Sequence, residues 1–136
     1  MSNGGFTSAL APWWTQKWAG SPQISLVSSG GRSGGALRIV NSSTSSSGIA
    51  AQNFTVAGGQ KITAKSYISF SGVTAGRAQI IIDFFDSSWR LVGEAYSAGQ
   101  SAGASGWNLE TVTATAPATA TSAGIYLYSY AAGTTL

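Results

Sequence analysis

Residues 124–131, "GIYLYSYA", alternate between aliphatic and aromatic side chains. In an extended chain Ile125 and Leu127 fall on one side and Tyr126, Tyr128 and Tyr130 on the other, because successive side chains of a strand point to opposite faces. A period of two with this division predicts a strand whose aliphatic face meets a core and whose tyrosines look away from it. The same period recurs upstream. In "KITAKSYISF" (61–70), Ile62, Ala64, Ser66, Ile68 and Phe70 form the expected core set, opposite Thr63, Lys65, Tyr67 and Ser69. In "RAQIIIDFFD" (77–86), Ala78, Ile80, Ile82 and Phe84 are expected to be buried, leaving Gln79, Ile81, Asp83 and Phe85 on the tyrosine side.

Turn chemistry separates these runs: "SSGGRSGG", "NSSTSSSG", "VAGGQ", "SGVTAG", "DSSW", "SAGQSAGASG" and "TAPATATSAG". Gly, Ser, Asn, Asp and Pro break regular structure for distinct steric and hydrogen-bonding reasons. Between the breaks lie eight predicted strands, at 24–28, 36–41, 48–56, 60–71, 77–86, 89–97, 107–115 and 123–131. No window couples a 3.6-residue apolar period to good helix formers. Many short strands spaced by turns predict an all-β fold, a two-sheet antiparallel β-sandwich of the jelly-roll kind. The Ser-rich stretch 42–47 reads as a loop, since patterned sequence resumes on both sides. At 136 residues the chain is expected to form one domain over 1–136.

Composition narrows the function classes. Hydrophobic residues make up 43% of the chain and charged ones 8%, against roughly 25% charged in ordinary soluble domains. Ser, Thr, Asn, Gln and Gly must therefore carry the surface, a habit of exported or virion-associated β proteins. Lys17, Arg32, Arg38, Lys61, Lys65, Arg77 and Arg90 are scattered, so no phosphate-binding stripe forms and no nucleic-acid partner is expected. The absence of Cys and His removes disulfides, thiolate metal sites and the Ser-His-Asp triad. No apolar run is long enough to span a bilayer, so no membrane partner is expected. "MSNGGFTS" has neither a basic region nor an apolar stretch, and no signal peptide is read there. If the parent is exported, the chain is an excised module with an added initiator Met.

Four carboxylates are present, Asp83, Asp86, Glu94 and Glu110. Glycoside hydrolysis needs two carboxyls at a defined separation, one with a raised pKa. Asp86 reads as a turn residue, and nothing in the spacing singles out a catalytic pair, so no enzyme activity is expected. Aromatic and polar residues sharing one open sheet face suit a sugar, whose ring has an apolar C–H face and a rim of hydroxyls.

Five stretches, "NGGFTSALAPWW" (3–14), "GGALRI" (34–39), "VAGGQKITAKSYIS" (56–69), "AQIIIDFFDSS" (78–88) and "GWNLETVTATAPATATSAGIYLY" (106–128), occur in the order and spacing of carbohydrate-binding modules. In this the chain resembles the group of families 4, 9, 16 and 22. The resemblance implies a non-catalytic jelly roll attached to a polysaccharide-degrading enzyme, binding a glycan on a concave sheet face or a loop edge. Members of that group commonly hold a structural calcium near the chain ends. Here Phe6-Thr7 stands where the group usually has Phe-Glu, and no Asp-Asp-Val strand follows Leu136. Both are carboxylate sources for a hard cation, so no bound calcium or other cofactor is expected. A jelly roll without that last strand leaves an open edge, which predicts either a shortened chain or completion by a partner strand, self-association included.

The predicted ligand-binding residues are Trp14, Tyr67, Gln79, Asp83, Trp89, Trp107, Tyr126 and Tyr128. Trp13, Trp14 and Trp18 lie in a segment read as non-periodic, where one of the three plugs the sandwich end and Trp14 is the favoured sugar contact. Trp107 opens a strand as platform or core. Trp89 sits at a turn where the resembling group often has Gly, as an exposed rim platform. The tyrosine row is either the floor of a groove or a solvated face. Gln79 and Asp83, with Arg77 and Glu110 as lesser candidates, are hydroxyl partners or cross-strand pairs with Lys65. The expected partner is a polysaccharide or oligosaccharide outside the cell. The competing expectation is a structural or adhesive sandwich of a cell-surface fibre or phage tail, assembling by strand pairing.

Overall fold

The computed structural model describes residues 5–6, 9–41, 47–69, 75–101 and 104–130. Within them lie ten strands: β1 (Trp14–Ala19), β2 (Gln23–Gly31), β3 (Gly34–Val40), β4 (Ser47–Thr55), β5 (Lys61–Ile68), β6 (Arg77–Phe85), β7 (Leu91–Tyr96), β8 (Gln100–Ser101), β9 (Asn108–Thr115) and β10 (Ser122–Tyr130). All pairings are antiparallel. One layer is a sheet in the order β1-β4-β10-β6-β7, with β8 joined to β6. The other consists of two separate two-stranded sheets, β2-β3 and β5-β9. Neighbours distant in sequence, such as β4 and β10, give the jelly-roll crossovers. The expected all-β antiparallel sandwich is the observed fold.

The alternation read from sequence sets the faces. Ile80, Ile82 and Phe84 of β6 and Ile125 of β10 are at most 2% exposed and lie in one core with Ala50, Ala64 and Val112. Leu26, Leu37, Ile62, Ile68 and Leu127 pack against it from both layers. Each large aliphatic or aromatic side chain buried this way contributes about 1.5–3 kcal/mol. Phe70, expected in the same set, lies outside the described residues, as do Ser42 to Ser46 of the expected loop. Thr7 and the residues after Tyr130, on which the calcium expectation turns, also lie outside them.

The tryptophan segment departs from the sequence reading. Trp14–Ala19 is not irregular but an edge strand, paired with β4 from Trp14↔Ala51 to Ala19↔Ser47. All six of its residues are exposed. With no buried apolar phase the strand shows no hydrophobic period, and its backbone pairing with β4 alone defines it. Trp13, just before it, is the tryptophan that plugs the core, 5.4 Å from the Phe6 ring. The two-residue β8, absent from the expected strands, is too short to carry a pattern.

Candidate glycan-binding face

The outer face of the six-stranded sheet is built from rows of side chains that the strand register aligns. One row runs Trp14, Ala51, Tyr126, Ile81, Tyr96 across β1, β4, β10, β6 and β7. The next toward the β6–β7 turn runs Asn53, Gly124, Asp83, Glu94. On the other side lie Gln16, Ile49, Tyr128 and Gln79, then Ala19, Ser47, Tyr130 and Arg77. Ile49, Ala51, Ile81 and Tyr126 form a second apolar cluster on this face, with Phe85 and Tyr128 packed against it.

Aromatic rings tile the β1 side. Trp14 meets Tyr126 edge-on at 5.8 Å, and Trp18 tilts against Tyr128 at 5.2 Å and Tyr126 at 6.4 Å. Tyr128 and Tyr130 stack at 5.6 Å. All four contacts fall in the separation range of favourable aromatic pairs. The ladder between β1 and β4 is irregular between Lys17 and Ala19, yet Trp18 still lies with Trp14 on the tyrosine side. Tyr126 is only 6% exposed, so it is the floor of this lattice rather than an open platform. Trp14 and Trp18, at 38% and 46%, are its accessible rings. Burial raises the phenol pKa of Tyr126 and of Tyr128, and for Tyr126 the Asp83 charge adds to the effect.

Beside the rings lies a pair of carboxyls. Asp83 and Glu94 are register partners. The Tyr96 hydroxyl donates to Glu94 Oε2 at 2.6 Å, which, with burial, pushes the phenol pKa to about 12. Asp83 Oδ1 is buried without a hydrogen-bond partner. Burial, and secondarily the charge of Glu94, raises the Asp83 pKa to about 6. Beyond Asp83 along β6, Phe85 and Trp89 close the far side at 5.8 Å from each other. Trp89 is 64% exposed and adopts φ 60°, a left-handed conformation. Asp86 holds that turn: its Oδ1 accepts from the backbone of Ser88 and Arg90, and Oδ2 pairs with the Arg90 guanidinium.

The sequence-predicted residues thus divide. Trp14, Tyr126, Tyr128 and Asp83 come together on the outer face, with Trp89 at its end. Gln79 belongs to the same register row but is buried. Tyr67 and Trp107 lie in the opposite layer, around a cleft lined also by Arg32 and Lys65. Glu110, a lesser candidate, is buried and engaged: it accepts from the Gly99 backbone N–H at 2.8 Å and from the Gln100 amide. Among the described residues no three His, Cys, Asp or Glu side chains gather to hold a metal. Trp18, Glu94, Tyr96 and Asn53 complete the face and were not in the sequence-based set. The available signal was parity: Trp14 and Trp18 are four apart, and Glu94 and Tyr96 two apart.

This arrangement offers flat apolar ring surfaces next to strong hydrogen-bond acceptors, on a face open at the sheet edge. Such chemistry suits the C–H face and hydroxyl rim of a sugar.

No protein-family model matches the chain, and no curated protein sequence matches it. Solved structures do share its fold. The enzymatically active domain of tailspike protein 4 from bacteriophage CBA120 superposes with a TM-score of 0.72 at 12% identity, covering 99% of this chain and 19% of that one. The Clostridium thermocellum N-terminal endo-1,4-β-D-xylanase 10B, solved as CBM22-1 and GH10 modules with xylohexaose, gives a TM-score of 0.61 at 13% identity. That match covers 86% of this chain and 25% of that one. The chain therefore spans a quarter or less of either structure, and the likeness is one of fold.

Proposed function

We propose that the chain is a non-catalytic carbohydrate-binding unit that takes a neutral polysaccharide on the outer face of the six-stranded sheet. The observation that carries this reading is that one sheet face holds both the exposed Trp14 and Trp18 rings, packed on Tyr126, and the Asp83–Glu94 carboxyl pair in the register row adjoining that of Trp14 and Tyr126. Sugar rings stack on the exposed indoles, and hydroxyls donate to the carboxyls. Trp89 extends the face beyond the acidic pair. Support also comes from the xylanase structure of the same fold, which was solved with xylohexaose. The sparse charge of the chain fits a partner recognised with little salt dependence and a setting outside the cell as part of a larger protein. Both remaining carboxylates are committed to structure, Asp86 in its turn and Glu110 against Gly99 and Gln100.

Titration with neutral β-linked oligosaccharides of glucose, mannose, xylose and N-acetylglucosamine, followed by tryptophan fluorescence, tests this. A saturable change in wild type that Trp14→Ala removes, without release of reducing sugar, supports the reading. No change with any of the four removes it.

A second reading is favoured by the tailspike superposition and by the interruption of the second layer between the two small sheets. In it the chain is a structural sandwich of a phage tail or surface fibre that associates through free strand edges. Sedimentation of the purified chain over a range of concentrations discriminates, since association is expected only here.

A further inference from the structure

The second layer is interrupted between β3 and β5, and the gap is a cleft of about 340 Å³. Its walls are residues 35–37 and 39 of β3 and 65–69 around the end of β5, and its floor includes Ala78, Leu127 and Ser129 from the sheet opposite. That volume lies at the lower end of the roughly 300–1,000 Å³ typical of small-ligand sites. Two aromatic side chains, Tyr67 and Trp107, stand at the cleft with about 40% and 39% of their surface free.

Charge gives the cleft its chemistry. Arg32 lies over the Tyr67 ring, its guanidinium carbon 3.8 Å from the centroid, and Lys65 lines the same wall. Neither has a carboxylate partner among the described residues, and all four acidic side chains of the sequence have known places elsewhere. Asp86 pairs with Arg90, Glu110 holds Gly99 and Gln100, and Asp83 and Glu94 lie on the outer face of the opposite sheet. The Tyr67 ring orients the guanidinium, and a planar guanidinium matches a carboxylate in bidentate fashion.

We propose that this cleft is a second binding site, separate from the outer face, for a carboxylate-bearing sugar, with Arg32 and Lys65 receiving the carboxylate and Tyr67 and Trp107 flanking the ring. Its polarity is opposite to that of the outer face, where carboxyls line the rings. The two sites are therefore expected to sort acidic from neutral sugar units. Gln79 and Tyr128 of the outer-face rows also reach the cleft lining, but the inference does not depend on the outer-face reading, because Arg32, Lys65, Tyr67 and Trp107 all lie outside that face.

The test is a calorimetric and amide-shift NMR titration of the whole chain with a trigalacturonate and with its methyl ester, at low salt and at 0.5 M NaCl. The acid is expected to shift amides of residues 32–37 and 65–69 and the Trp107 indole. Esterification, Arg32→Gln or added salt is each expected to weaken binding at least about tenfold. Lys61→Gln, which removes a cation on the same strand outside the cleft, is expected to leave affinity unchanged and so controls for net charge. Equal binding of acid and ester overturns the proposal, as does acid binding that survives Arg32→Gln or maps to the Trp14 face. Absence of binding overturns it too, as does self-association that protects the β3 and β5 amides and closes the cleft, which would assign the gap to a polypeptide strand.

Discussion

Asp83 and Glu94 stand directly opposite each other on β6 and β7, on the open face of the large sheet, and Glu94 is tied to Tyr96 while Asp83 Oδ1 has no partner. Burial penalises the charged form of Asp83, and the like charge of Glu94 in register with it adds to the cost. Asp83 consequently keeps its proton to about pH 6, against 3.8 in an unfolded chain.

The sign follows from proton linkage. Between about pH 4 and 6 the folded state binds more protons at Asp83 than the unfolded state, so stability falls as pH rises through that window. Asp86 acts in the opposite sense, its carboxyl held below the usual range chiefly by the Arg90 backbone N–H, and its effect lies at lower pH. Thermal melts of wild type and Asp83→Asn from pH 4 to 7 are expected to diverge, the variant gaining relative stability as pH rises and holding it at pH 7. Parallel curves would mean that Asp83 ionises freely in the folded chain.

Trp89 adopts φ 60° at the tip of the β6–β7 turn, where a side chain with a Cβ is strained by about 1–2 kcal/mol. Replacement by Ala and by Gly removes the same ring contact with Phe85, but only Gly relieves the backbone. Denaturant unfolding is expected to find Trp89→Gly more stable than Trp89→Ala by about 1 kcal/mol. Equal stabilities would show that the turn relaxes out of this conformation.

Gly124 is required for space. A Cβ there would lie 2.6 Å from Tyr126 Cε2 and 2.9 Å from Asn53 Oδ1. The absent side chain is what lets the Tyr126 ring lie toward Asp83 as a floor under Trp14 and Trp18. Gly124→Ala is expected to cost about 1–3 kcal/mol in unfolding free energy, the usual penalty of overpacking. It is also expected to shift the Tyr126 and Trp14 side-chain resonances. A neutral effect on both would place the ring elsewhere.

Alternation made most of the fold legible, because β6 and β10 each bury one phase of side chains against the core and the sequence separates the phases cleanly. Ile80, Ile82, Phe84, Ile125 and Leu127 are where parity puts them. β1 was not legible, since an edge strand with both sides exposed has no hydrophobic phase. Trp18 shares the parity of Trp14, but parity assigns a face only where a strand is recognised. Parity along one strand also cannot say which layer a strand joins. Tyr67 shares the outward phase of its own strand with Lys65, yet β5 lies in the opposite layer from β6 and β10, so Tyr67 faces the cleft with Arg32. Glu110 is a lesser candidate by residue type alone, and its partners Gly99 and Gln100 come from a segment that no local pattern links to β9.

The most direct measurement of the outer-face reading is affinity electrophoresis of wild type and the Trp14→Ala/Trp18→Ala double variant. The gels carry β-glucan, mannan, xylan or chitin in soluble form. Wild type is expected to be retarded by at least one of them, and the double variant at least about tenfold less in apparent affinity, as loss of accessible aromatic anchors implies. Migration unaffected by all four polysaccharides, or retardation identical in the double variant, would contradict the claim that this face binds sugar.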